Sequence, residues 1–258
     1  MGAEDGTTED HRLTGDRAWA RWALRRWESF PVDRQPRPLV LIGPLTRFER
    51  GFRSGDAKLA FYYGDIEAAV PLPDGLLEIL RGNGDGQRAV PGRRCWSNPL
   101  LITQASPDNA PFATDRGSRE LPAWRLSGPE IDGAFWVLDA MVAATRWEPP
   151  GPTPPKPFDG LPHRAASAVV ESDDRTLHFT FTGAPPEYAE YPATEVIETG
   201  HALVVLPVAR SIGPPGFRAA VGCARTVTAR LARPLGERVV VDLDASPVMV
   251  VAREPDEQ

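Results

Sequence analysis

The stretch Thr176-Leu177-His178-Phe179-Thr180-Phe181 decides how the C-terminal part of this chain is read. Leu177, Phe179 and Phe181 fall on one side of an extended backbone, and Thr176, His178 and Thr180 on the other. Strict alternation at period two marks a strand with one face in a core. Working outward, short apolar or β-branched runs recur at 165–170, 195–197, 202–208, 226–231, 239–243 and 248–252. Pro185-Pro186, Gly213-Pro214-Pro215-Gly216 and Pro234-Leu235-Gly236 separate them with turn chemistry. This spacing predicts a C-terminal β domain over 165–258, built as an antiparallel β-sandwich or barrel.

Within that domain, the sequence from Ala224 to Asp242 resembles the end of a β domain in uncharacterised proteins of high-GC bacteria. Its core is Pro-Leu-Gly-x-Arg, here Pro234-Leu235-Gly236-Glu237-Arg238, between two Val/Thr-rich strands and followed by Asp242. The resemblance covers the C-terminal third. It implies a β fold and no activity. Some of those proteins are membrane-anchored or exported, which the N-terminus here does not support.

Upstream, residues 149–157 hold six prolines in nine positions, Pro-Pro-Gly-Pro-Thr-Pro-Pro-Lys-Pro. That composition excludes helix and central strand and predicts an extended linker over 149–164. Before it, 16–148 reads as a mixed, mainly β N-terminal lobe. The apolar runs 39–42, 59–63, 76–80, 100–102 and 124–126, punctuated by Gly, Pro and Asp-Gly, read as strands. Residues 135–145 read either as strand or as helix. The lobe opens with one short helix over 16–30, capped by Asp16 and stopped by Pro31. Trp19, Trp22, Ala23, Trp27 and Phe30 share one broad face, interrupted by Arg26, and Arg21 and Arg25 lie opposite. Such a helix docks on its own domain, or lies on a membrane surface or in a partner's groove. Residues 1–15 are polar and acidic and read as a disordered tail. The fold class expected is therefore mainly β, in two lobes.

Composition narrows the function classes. The chain has 258 residues, 41% hydrophobic and 25% charged, with a net charge of −6. Such acidity gives no overall attraction to nucleic acid, so none is expected as a partner. No run of 18 apolar residues exists, so no transmembrane helix is expected. Residues 1–17 lack the apolar centre of a secretory signal, which predicts a cytoplasmic protein. The many Arg, Ala, Pro and Gly fit a GC-rich bacterial gene; only Lys58 and Lys156 are lysines. Two distant cysteines, Cys95 and Cys223, supply no four-ligand zinc set. They read as free buried thiols or as one disulfide.

No linear motif carries chemistry. Gly82-Asn83-Gly84-Asp85-Gly86 lacks the following helix a dinucleotide fingerprint needs and the end carboxylates of a calcium loop. His11, His163, His178 and His201 show no paired spacing. Arg53-Ser54-Gly55-Asp56 is not a nucleophile elbow. Asp242 and Asp244 share one face of a predicted strand and read as a solvent-facing strand end. No metal or cofactor is expected. The most unusual chemistry is at 112–124, read as a charged loop between Pro111 and Pro122. Asp115, Arg116, Arg119 and Glu120, with Trp124 and Trp96 as walls, could bind a small anionic ligand or a protein. The sequence thus points to a non-catalytic binding or interaction module. The alternative is a hydrolase whose site is assembled from dispersed loop residues.

Overall fold

The computed structural model describes residues 6–82, 96–150, 164–212 and 222–253. In chain order the elements begin with α1 (Gly6–Arg26), β1 (Thr46–Phe48), β2 (Gly51–Phe52), α2 (Gly55–Tyr62) and β3 (Ile66–Ala68). Next come α3 (Leu76–Gly82), β4 (Leu100–Ile102), β5 (Gln104–Thr114), β6 (Gly117–Ser127) and β7 (Ile131–Asp132). Then follow β8 (Phe135–Leu138), α4 (Ala140–Ala144), β9 (Arg164–Val170), β10 (Thr176–Gly183) and β11 (Ala189–Glu198). The last are β12 (Ala202–Ser211), β13 (Cys223–Arg230), β14 (Val239–Val240) and β15 (Val250–Ala252). The protein is mainly β, as its sequence predicts.

Two compact units form. The first gathers Met1–Ile42, Asp115–Gly117 and Trp147–Gln258; the second gathers Gly43–Thr114 and Ser118–Arg146. The expected N-terminal lobe 16–148 is therefore not one compact body, because its leading helix buries its apolar face among the C-terminal strands. The proline-rich linker lies outside the described residues from 151 to 163, as do Gly84, Cys95 and His163.

In the first unit, one sheet runs β13-β10-β9-β15 and another β11-β12-β14. The alternation of β10 holds: Leu177, Phe179 and Phe181 are buried, sharing a core with Leu203 and Val205 of β12 and Val240 of β14. The intervening residues of β12, Ala202, Val204 and Leu206, join a second core with Ala23, Trp27 and Phe30. β12 is buried on both faces, which is why it reads as an unbroken apolar run. β12 with β14 and β15 with β9 pair in parallel, within an otherwise antiparallel arrangement.

The same second core decides how α1 is used: it docks on its own unit. Trp27 and Phe30 are fully buried, and the Trp27 indole N–H donates to the Ala245 carbonyl at 2.9 Å. α1 itself runs from Gly6, not from residue 16, so Asp16 lies inside it and residues 6–15 of the expected tail are helical. A polar helical stretch carries no apolar stripe and so gives no sequence signal. Beyond Arg26, single turns carry the chain through Trp27 and Phe30.

The second unit holds a sheet of order β1-β8-β6-β5, the pairs β2-β7 and β3-β4, and three short helices. Here the strand readings of 59–63 and 76–80 are overturned: both lie in helices, α2 and α3. Apolar runs this short do not reveal their period. Ser54 caps α2 by accepting from the Ala57 amide at 3.1 Å, and Asp139 caps α4 through Met141 at 2.9 Å. That second cap ends β8 at Leu138 and divides 135–145 into a strand and a helix. Among the described residues no helix is long and apolar enough to cross a membrane.

Candidate functional site

The expected charged loop at 112–124 is instead the joined ends of β5 and β6, with only Asp115 and Arg116 between them. Gly117, at φ +87°, takes the left-handed conformation that closes the turn. Pro111 lies in β5, an edge strand of its sheet, where a missing N–H costs no ladder bond. The boundary between the units falls after Gly117, so Asp115 and Arg116 count with the first unit and Arg119 and Glu120 with the second.

Asp115 and Arg116 are engaged by structure. The buried Asp115 carboxylate receives a two-pronged grip from Arg37, with Nη1 to Oδ1 at 3.0 Å. Arg37 Nε also reaches the Glu237 carbonyl at 3.2 Å and its carboxylate at 3.1 Å. Arg116 donates to the carbonyls of Gly236 at 2.6 Å and Arg238 at 2.7 Å. Burial pulls the Arg116 pKa below the usual arginine range; Asp115 opposes that shift and Arg37 adds to it.

These contacts meet at the Pro234-Leu235-Gly236-Glu237-Arg238 turn, and they explain why its residues are what they are. Arg238 is buried and donates to Glu198 Oε2 at 2.6 Å and to the carbonyls of Arg233 and Pro234, both at 2.8 Å. Gly236 adopts φ +52° and its amide donates to Asp174 Oδ2 at 2.8 Å. A planar guanidinium can satisfy several turn carbonyls while answering one carboxylate. The turn is a structural knot.

The other expected site residues divide as well. Arg119 and Glu120 are exposed on β6. Trp124 donates from its indole to Asp139 Oδ2 at 3.0 Å, and Trp96 to Asp65 Oδ2 at 2.7 Å. Trp96 stacks on Tyr63 at 4.7 Å, and both tryptophans pack into the core of the second unit. Both indole N–H groups are satisfied, with Trp96 buried and Trp124 half-buried against that core. Asp242 and Asp244 bond backbone amides, Asp242 those of Ala165 and Leu243, Asp244 that of Ser246. Cys223 is a half-buried free thiol. Among the described residues no group of three or more His, Cys, Asp or Glu is arranged to hold a metal ion.

A different place gathers open chemistry. In the second unit, a depression of about 540 Å³ lies along β2 and the start of α2. Arg50, Arg53 and Lys58 line it, together with Phe52, Phe61 and Tyr62. Arg50 faces Asp132 at a loose 3.7 Å. Arg53 Nε donates to the Ile131 carbonyl at 3.2 Å. Lys58 Nζ stands 5.8 Å from the Tyr62 ring centroid. Among the described residues neither Arg53 nor Lys58 makes an ion pair. Besides Asp132, two further carboxylates are nearby: Glu130 accepts from the Ser54 hydroxyl at 3.0 Å, and Asp56 accepts from Ser97 Oγ at 3.0 Å. Gly51 sits at φ +134° with open space where a Cβ would stand, so the backbone at the wall is accessible. The sequence signal was present: three cations and four aromatics lie within 48–62. Arg53-Ser54-Gly55-Asp56, no nucleophile elbow, is the turn that leads from β2 into α2 and carries one of these cations.

One further alignment lies on the outward face of the first unit's larger sheet. Thr228 Oγ1 is 3.3 Å from His178 Nδ1, and His178 Nε2 is 2.6 Å from Glu171 Oε1. Arg253 takes the same Glu171 oxygen at 2.7 Å. Bonds from Arg253 and then His178 hold the Glu171 carboxyl below the usual glutamate range.

No family model, curated protein or solved structure matches this chain.

Proposed function

We propose that the protein is a non-catalytic binding module whose second unit takes a small anionic ligand in the depression at Arg50, Arg53 and Lys58. One observation carries this reading: three cations share one concave surface, and two of them make no ion pair among the described residues. Cavities of this volume suit small molecules, commonly about 300–1,000 Å³. An arginine fork matches a carboxylate or phosphate in shape as well as charge. Titration calorimetry with inorganic phosphate tests it. Binding should weaken in Arg53→Gln and in Lys58→Met and fall as salt is raised. Binding that ignores both substitutions rejects the site.

The alignment Thr228–His178–Glu171 favours a second reading, a hydrolase. It joins a hydroxyl to a base and the base to a carboxylate, the connectivity of nucleophilic catalysis. Its nucleophile stands on an exposed sheet face and its acid is shared with Arg253, so the binding reading has the better support. Turnover of an activated ester, abolished by both Thr228→Ala and His178→Gln, would reverse that order.

A further inference from the structure

We infer that the ligand of the depression is an aromatic anion, a flat ring bearing a phosphate or carboxylate close to it. This rests on reading Arg50, Arg53 and Lys58 as an anion site. Phe48, Phe52 and Phe61 pack on one another with centroids 4.7, 5.0 and 5.3 Å apart, so their rings are occupied. Tyr62 is different: it is 47% exposed at the rim of the same depression. A half-exposed ring beside packed rings offers a face on which a second ring gains stacking and releases water.

Spacing sets how near charge and ring must be. Lys58 and Tyr62 stand four residues apart on α2, so they share one helical face. Neighbours at that spacing have Cβ atoms about 5–6 Å apart, so a ligand using both holds its anionic group within a few bonds of its ring. Lys58 now lies over the Tyr62 ring. An arriving anion would draw the ammonium toward itself and leave the ring face to the ligand. Neither a bare phosphate nor a saturated chain uses both groups.

Calorimetry on the full chain with inorganic phosphate, cyclohexyl phosphate and phenyl phosphate tests this. Phenyl phosphate should bind about tenfold tighter than the other two, the scale of stacking on an aromatic side chain. Tyr62→Ala should bring phenyl phosphate down to the affinity of cyclohexyl phosphate in the same variant, and Tyr62→Phe should keep the preference. Equal binding of phenyl and cyclohexyl phosphate, or of phenyl and inorganic phosphate, overturns the aromatic ligand while the anion site stands. No binding of any of the three overturns the anion site itself.

Discussion

Arg238 in the first unit and Arg50 in the second are the same side chain in opposite circumstances. Arg238 has a side chain only 7% exposed, and its donors go to a carboxylate and to turn carbonyls. Arg50 has a side chain 67% exposed and a single carboxylate at 3.7 Å. Around Arg238 stand Arg37 and Arg116, likewise committed to partners in the same unit. Near Arg50 stand Arg53 and Lys58, with no ion pair among the described residues. A guanidinium whose hydrogen bonds are spent on its own fold has little left for a ligand, and one whose bonds are open contributes little to the fold. The Pro234-Leu235-Gly236-Glu237-Arg238 turn therefore serves the fold of the first unit, and the chemistry is to be sought where arginines are loosely held.

The strongest way to break this contrast is to remove Arg238. Arg238→Met should destabilise the protein by about 3 kcal/mol, because it leaves the largely buried Glu198 carboxylate without its ion-pair partner. The turn carbonyls of Arg233 and Pro234 lose their donor at the same time. Denaturant unfolding measures the loss. A change below about 1 kcal/mol, the range of a surface ion pair, would place Arg238 with the exposed arginines. Arg116→Met should cost less, about 1.5–3 kcal/mol, since two carbonyls lose a charged donor.

Acid should sharpen the same contrast. Burial pushes the Glu198 pKa up, but bonds from Arg238 and the Ala232 amide outweigh it and hold the carboxyl below the usual glutamate range. A depressed folded-state pKa contributes stability that is fully present above the unfolded value, about 4.3, and is lost as pH falls through the folded value. The melting temperature should therefore drop on acidification below about pH 4.3, and Glu198→Gln should flatten part of that drop. An identical acid slope in Glu198→Gln would show that the pair does not couple to folding.

What the sequence made legible follows the same division. The alternation at Leu177, Phe179 and Phe181 shows a strand because one face is buried and the other wet. The run at 59–63 hides its helix because five residues cannot display a period of 3.6. What distinguishes it is the Ser54 cap, a contact with Ala57 rather than a pattern. Asp115 looked like ligand chemistry because its partner, Arg37, lies far away in sequence. Charge alone cannot say whether an arginine is spoken for; the pairing of Arg238 with Glu198 joins residues forty positions apart. The cations at 50, 53 and 58 were visible as residues, but their shared concavity depends on how β2 leads into α2.

The smallest expected effect on stability is also the most informative. Arg53→Gln and Lys58→Met should each change unfolding free energy by no more than about 0.5 kcal/mol, the usual range for surface substitutions. Arg53 gives up one bond to the Ile131 carbonyl, which water can replace at an open site. Lys58 gives up a cation–π contact with a half-exposed ring at 5.8 Å, near the outer limit of such contacts, and methionine keeps an apolar stem of similar length. The two variants should thus melt close to the parent protein and yet lose affinity for phosphate. Arg238→Met should behave in the reverse way under conditions where it remains folded. If instead Arg53→Gln unfolds the second unit, its guanidinium is structural and the contrast between the two regions fails at that residue.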